Sequence, residues 1–190
     1  MCDIVEKKKN LRKQIRLKKK EYSLQQKITL SEPIFEKLEN MQEFYLGKTI
    51  LLYWSMDDEV YTQDFINKWY KQKTILLPCV EGDNLLLRRF EGMQSMIIGP
   101  DFGILEPKGE VFTALDTIDL MIIPGVAFDT FCNRMGRGRG FYDRLLKTTS
   151  CKKFAVAFDF QIVDDVPVQS FDVKMDKVIS TSNIYSINNE

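Results

Sequence analysis

The sequence predicts an α/β domain with a mainly parallel sheet. Apolar runs of strand length recur along the chain: TILLYW (Thr49 to Trp54), KTILLPC (Lys73 to Cys79), DLMIIP (Asp119 to Pro124) and KFAVAF (Lys153 to Phe158). Such unbroken runs suit strands buried on both faces. Segments with helical spacing lie between them, and this alternation is the pattern of strands covered by helices. With no internal repeat and no low-complexity linker, the 190 residues read as one domain over 1–190, long enough for a sizeable core.

The elements follow in order. Ile4, Leu11, Ile15 and Tyr22 recur at helical spacing and predict a helix over 4–29. Ser31 is a good N-cap with Pro33 in the first turn, so a second helix is predicted from there to about Gln42. The strand at 49–54 is followed by a helix over 61–71, a strand at 73–79, a turn at 81–84 and a strand at 85–90. Residues 92–109 are rich in Gly and Pro and read as a long loop, in which Phe102 to Pro107 (FGILEP) forms a tight turn. After the strand at 119–124, residues 125–139 read as loop. A helix starts near Gly140, a strand covers 153–158, and a short strand around Val178 closes the sheet.

Composition narrows the function. Lys plus Arg and Asp plus Glu are both 27, so the net charge is zero and any anion site must be a local cluster. The four cysteines, Cys2, Cys79, Cys132 and Cys151, contain no C-x-x-C pair and read as reduced thiols of a cytoplasmic protein. No run is long enough to span a bilayer, and the basic N-terminus lacks the apolar stretch of a secretory signal. The chain has no histidine, which excludes Ser-His-Asp and Cys-His catalysis. A metal would be held by oxygen, which points to magnesium rather than zinc.

Ligands of open α/β sheets gather beyond the carboxyl ends of the strands. The segment Pro124 to Asp143 follows one such end and carries, though not directly after the strand as a Rossmann fingerprint would, the run Arg134-Met135-Gly136-Arg137-Gly138-Arg139-Gly140-Phe141-Tyr142-Asp143. Its glycines let backbone amides approach a ligand, and consecutive amides form an anion-binding concavity. The helix beginning near Gly140 adds a positive dipole end. Arg134, Arg137 and Arg139 can bind phosphate bidentately, and Asp143 suits a magnesium ion shared with phosphate. The run is not a Walker A loop, because it lacks the G-K-[ST] ending. Trp54 to Glu59 (WSMDDE) follows another strand. Glu59 could bind the donor face of a heterocycle and Trp54 could pack against a ring, but Asp57, Asp58 and Glu59 equally suit a helix N-terminus. The basic stretch from Lys7 to Lys20 reads as a solvated helix face, as a nucleic-acid contact, or as a helix with one end over nucleotide phosphates.

Together these segments resemble the 5-formyltetrahydrofolate cyclo-ligase family, also called methenyltetrahydrofolate synthetase. The resemblance rests on KKNLR (Lys8 to Arg12), SMDDE (Ser55 to Glu59), FGILEP, IPGVAFDTFCNRMGRGRGFYD (Ile123 to Asp143) and DVKMDKV (Asp172 to Val178), in that order over nearly the whole chain. It implies a three-layer α/β/α sandwich similar to that of CoA transferases and sugar-phosphate isomerases. It also implies ATP- and magnesium-dependent closure of 5-formyltetrahydrofolate to 5,10-methenyltetrahydrofolate, with release of ADP and phosphate. Carried over, Lys8, Lys9, Asn10, Leu11, Arg12 and the run Arg134, Met135, Gly136, Arg137, Gly138, Arg139, Gly140, Phe141, Tyr142 would hold ATP. Arg12, Trp54, Glu59, Arg137, Gly138, Arg139, Gly140 and Phe141 would face the folate. Arg137, Arg139 and Tyr142 would be catalytic, and Asp143 and Asp172 would bind magnesium.

Four positions depart from the family pattern. Cys79 stands where many relatives carry a basic residue, and Phe171 where a polar residue is common. Trp54 stands where a smaller apolar residue is frequent, and Phe141 replaces a frequent tyrosine. The expected partners are the small-molecule folate and ATP, with no nucleic acid and no membrane, and the expected state is a monomer. The alternatives are another ATP-dependent small-molecule kinase or ligase on the same fold, and a nucleic-acid-binding module using the basic N-terminal helix.

Overall fold

A computed structural model describes residues 2–99 and 103–187. Helix α1 (Cys2–Lys20), α2 (Leu24–Glu39) and α3 (Gln42–Leu46) precede strand β1 (Thr49–Leu51). Helix α4 (Gln63–Trp69), β2 (Thr74–Glu81) and β3 (Asn84–Arg89) follow. Next come β4 (Met96–Ile98), β5 (Leu105–Pro107), β6 (Leu120–Ile123), β7 (Ala127–Asp129) and β8 (Arg134–Met135). The chain then forms α5 (Phe141–Leu146), β9 (Lys152–Ala157), β10 (Ile162–Val163), β11 (Lys177–Ser180) and β12 (Ile184–Ser186).

Seven strands form the main sheet in the order β12-β11-β9-β6-β1-β2-β3. The inner strands are parallel, and β12 and β3 are antiparallel edges. Side chains alternate between faces along each strand. Ile50, Ile75, Ile122, Phe154 and Ile179 face a core completed by Ile34 and Leu38 of α2 and Phe65 and Ile66 of α4. Their neighbours Leu51, Leu76, Met121, Ala155 and Val178 face the opposite core, with Leu145 and Leu146 of α5. Two apolar faces explain why the strands read as unbroken runs, and the three-layer α/β/α architecture follows.

The sequence reading differs from the structure in several places. The helix expected over 4–29 breaks at residues 21–23. Ser23 leaves helical geometry and caps α2: its Oγ accepts from the Gln26 amide at 3.2 Å, and Gln26 Oε1 accepts from the Ser23 amide at 2.8 Å. This reciprocal capping box satisfies orphan donors that a continuous helix would not have exposed. Ser31, the expected cap, is buried inside α2, where it donates to the Lys27 carbonyl at 2.7 Å and accepts from the Tyr61 amide at 2.9 Å. Pro33 lies within the helix rather than in its first turn.

The long loop at 92–109 carries a hairpin of β4 and β5, a two-stranded sheet of its own. Phe102, the first residue of the expected tight turn, lies outside the described residues; Leu105 to Pro107 is strand, not turn. The expected loop at 125–139 contains β7 and β8, which form a three-stranded sheet with β10. Helix α1 lays Ile15 across that small sheet, against Val126, Ala127, Met135 and Val166. This contact places one face of a basic helix beside the loop after β6.

Candidate functional site

The loop from Pro124 to Asp143 is held from inside. Asp129 is fully buried, and its carboxylate accepts from the Phe131, Asn133 and Val166 amides at 3.0, 2.9 and 3.1 Å and from Asn133 Nδ2 at 2.8 Å. Four N–H donors compensate a buried carboxylate without a cation. They also hold Cys132 at φ 62°. Gln161, 2 % exposed, donates from Nε2 to the Gly125 and Val126 carbonyls at 2.9 and 3.1 Å. Sequence reasoning gave no role to either residue.

Arg134 is also internal, with 2 % of its side chain exposed. Its Nη2 donates to Asp143 Oδ1 at 2.8 Å and its Nη1 to the Pro124 carbonyl at 3.2 Å. Its Nε is a buried donor with no partner among the described residues. The guanidinium is thus packed beneath the loop, against Asp143, rather than presented on the surface. Met135 is buried in the small core with Ile15.

Beyond Met135 the loop turns outward. Gly138 and Gly140 take φ of 105° and 71°, values that side chains resist. Arg12 Nε donates to the Gly136 carbonyl at 2.9 Å. Arg137, with 47 % of its side chain exposed, reaches Asp58 Oδ1 at 2.6 Å and Glu59 Oε1 at 3.0 Å. Arg139 is exposed on the same turn. Helix α5 is six residues long, so the positive field here comes mainly from arginines and amides rather than from a helix dipole. Burial pushes the Tyr142 phenol far above its ordinary range; nearby Glu59 adds to this and Arg134 opposes it, so Tyr142 stays protonated.

The turn after β1 is equally pinned. Ser55 and Thr62 exchange amide-to-hydroxyl bonds, both at 3.1 Å, and Thr62 Oγ1 donates to the Tyr53 carbonyl at 2.6 Å. Glu59 Oε2 accepts from the Met56 amide at 3.1 Å, leaving Oε1 to Arg137. Trp54 is 8 % exposed and packs against Phe90, so it belongs to the core.

Helix α1 presents Lys8, Arg12 and Lys19 along one face. Lys8 Nζ lies 2.5 Å from Asp172 Oδ2 and 3.2 Å from Gln169 Oε1. Lys19, 4 % exposed, lies 3.3 Å from Asp58 Oδ2. Lys9 and Asn10 point to solvent, and Leu11 packs at the edge of the small core. Arg12, Arg16, Lys19, Asp58, Val126 and Arg137 line a cleft of about 60 Å³. Cys79 is buried beside the Pro107 carbonyl at 3.8 Å; burial, with Glu106 adding, pushes its thiol up to about 11. It offers no cation at the position where the family resemblance led to the expectation of a basic residue. Phe171 lies under the Lys8 ammonium, 5.6 Å from ring centre to nitrogen.

Asp143 and Asp172 are neighbours through the backbone, since the Val173 amide lies 3.5 Å from Asp143 Oδ1. Both are ion-paired, with Arg134 and Lys8. No group of three or more His, Cys, Asp or Glu side chains assembles among the described residues. Two carboxylates and no nitrogen or sulfur donor fit a hard cation that draws its other ligands from water and phosphate.

The family model described as the 5-formyltetrahydrofolate cyclo-ligase family matches residues 4–181. The chain is 32 % identical over 149 residues to the 5-formyltetrahydrofolate cyclo-ligase of Escherichia coli (strain K12), covering 74 % of this chain and 81 % of that one. It is 30 % identical over 187 residues to the enzyme of that name from Mus musculus, covering 90 % and 92 %. The NMR structure of Aquifex aeolicus 5,10-methenyltetrahydrofolate synthetase superposes with a TM-score of 0.86 at 33 % identity, over 96 % of this chain and 94 % of that one.

Proposed function

The chain belongs to the 5-formyltetrahydrofolate cyclo-ligase family, a family of enzymes, and from that premise we propose that it closes 5-formyltetrahydrofolate to 5,10-methenyltetrahydrofolate, using ATP and magnesium and releasing ADP and phosphate. The observation that carries this reading is the meeting of Arg137 with Glu59, which joins the glycine-rich loop to the turn after β1. An arginine suited to phosphate and a carboxylate suited to a heterocycle thereby face one space.

The chemistry asks little of a protein base. Transfer of the γ-phosphoryl group to the formyl oxygen makes that oxygen a leaving group. A nitrogen of the same substrate molecule attacks the formyl carbon, and phosphate departs. The nucleophile belongs to the substrate, so the work is positioning and charge neutralisation. Glu59 orients the heterocycle. Arg137 and Arg139 stabilise charge on the transferring group. Lys8 and Arg12 approach the phosphates from α1, and the protonated Tyr142 donates near the formyl group. Asp143 and Asp172 would hold magnesium, which when bound would neutralise charge on the phosphates. The absence of histidine is no obstacle to this route.

Among the cations proposed for nucleotide and folate, Lys8 is paired with Asp172 and Arg137 with Asp58 and Glu59 in the free protein, while Arg12 is held by the Gly136 carbonyl. Binding therefore exchanges internal ion pairs for ligand contacts. A monomer in the cytoplasm, acting without nucleic acid, is the accompanying proposal; no described helix is long and apolar enough to cross a membrane. The test is the near-ultraviolet absorbance of methenyltetrahydrofolate, followed with ATP and magnesium and with each left out. Product that appears without ATP, or none under any condition, would sink the assignment. A small-molecule kinase would consume ATP without that signal.

A further inference from the structure

Lys19 lies within the residues the family model matches but outside the short motifs KKNLR, SMDDE, FGILEP, IPGVAFDTFCNRMGRGRGFYD and DVKMDKV, and it is among the most buried charged groups. It extends the inward face of α1 by two turns beyond Arg12, and its ammonium is 3.3 Å from Asp58 Oδ2. The other oxygen of Asp58 is 2.6 Å from Arg137. Asp58 therefore bridges two cations. One is 4 % exposed and fixed by the helix; the other is 47 % exposed and on the loop. Burial lowers the affinity of Lys19 for its proton, and Asp58 and Glu59 restore part of it. Burial pushes the Asp58 carboxyl up, but Lys19 and Arg137 outweigh it and hold the group below its ordinary value.

This asymmetry has a consequence for ligand entry. If Arg137 turns to the substrate, Asp58 loses one of two cations. Without Lys19 it would be left as an uncompensated carboxylate beside an anionic ligand, and it would hold Arg137 back. We propose that Lys19 is a positioning residue: it keeps Asp58 neutralised so that Arg137 can leave that carboxylate for the bound folate and ATP. The proposal rests on the cyclo-ligase reading. In this proposal Lys19 acts through Asp58, the carboxylate it pairs with at 3.3 Å.

Lys19→Met keeps an unbranched chain in the buried channel and removes the charge. It raises the KM for 5-formyltetrahydrofolate about tenfold, the size of one lost charge-assisted contact, and leaves kcat within about twofold. Lys19→Arg restores the KM to within about threefold of the parent. Asp58→Asn in the Lys19→Met background also restores it, because no carboxylate remains to hold Arg137; a packing defect would not be rescued this way. Asp58→Asn alone, which leaves the helix untouched, lowers the KM or leaves it at the parent value. An unchanged KM in Lys19→Met, no rescue by Asp58→Asn, or a raised KM in Asp58→Asn alone would each overturn the proposal. Turnover by the parent separates the outcomes: if the parent closes the ring and Lys19→Met matches it, only the role of Lys19 falls.

Discussion

Arg134 and Arg137 lie three residues apart in one glycine-rich loop, and their surroundings are opposite. Arg134 is 2 % exposed, tied to Asp143 and to the Pro124 carbonyl at the end of β6. Arg137 is 47 % exposed and crosses to Asp58 and Glu59 on another loop. The first holds the loop and the Asp143 carboxylate in place; the second is available to a ligand once its acids release it. Within a motif that looks uniform as R-M-G-R-G-R, Arg134 thus belongs to the architecture, and Arg137 is the one the proposed function gives to the chemistry.

The largest effect that tests this division is on stability. Arg134→Met removes the cation from a buried pair and leaves Asp143 without it, which costs about 3–5 kcal/mol. Chemical denaturation should show that loss, and Asp143→Asn in the same background should recover part of it. A loss under ~1 kcal/mol, the range of exposed pairs, would erase the contrast. Arg137→Ala should do the reverse. Turnover in the ring-closure assay falls about 100- to 1000-fold, as when a transition-state donor is removed, while stability changes by less than ~1 kcal/mol. Equal destabilisation by both variants would mean that the two arginines are alike after all.

Much of the fold was legible in the sequence, and so was the loop on which the candidate site is built. Runs such as TILLYW and DLMIIP were legible because two-sided burial leaves no polar position in a strand. The break between α1 and α2 was not, since Ser23 and Gln26 look like ordinary polar residues in a helical pattern until their capping box is seen. In the site, the glycine-rich loop announced itself by composition. Which of its arginines is buried did not, because that depends on where β6 ends and where α5 places Asp143. Lys8 and Arg12 came only through the resemblance, and their i, i+4 spacing on α1 now explains why Lys9 and Asn10 face solvent between them. Lys19 and Asp58 are 39 positions apart, and no local pattern links them.

A smaller effect probes the turn between the two arginines and the helix. A Cβ built on Gly138 would approach Arg12 Cζ at 3.4 Å, and the residue's φ of 105° strains any side chain. Gly138→Ala should cost about 1–2 kcal/mol from backbone conformation alone. It should also weaken ATP binding, because relief of that strain shifts the turn whose Gly136 carbonyl holds Arg12, which titration of the nucleotide would detect. Stability lost with nucleotide affinity intact would show that Arg12 is not held for the ligand.

The smallest effect is in the acid range, and it separates the two cations of Asp58. This carboxyl is held below its ordinary value against the opposing influence of burial, by Lys19 and then Arg137. A carboxylate whose folded pKa is depressed contributes stability that is complete above its ordinary pKa and is lost as the pH falls through the lowered one. Arg137→Ala removes one source of that depression and therefore has less to lose. At pH 7 the parent should exceed the variant by less than ~1 kcal/mol, as expected for a pair open to solvent. The gap should narrow below about pH 4, where an ordinary Asp carboxyl begins to protonate, and close once the pH has fallen through the lowered value of Asp58. Urea denaturation of both proteins across that range measures it. A gap that persists unchanged in acid would assign the stabilising part of Arg137 to the packing of its aliphatic stem rather than to Asp58. The charge contact would then be held in reserve for the ligand alone, which would sharpen the contrast with Arg134 rather than blur it.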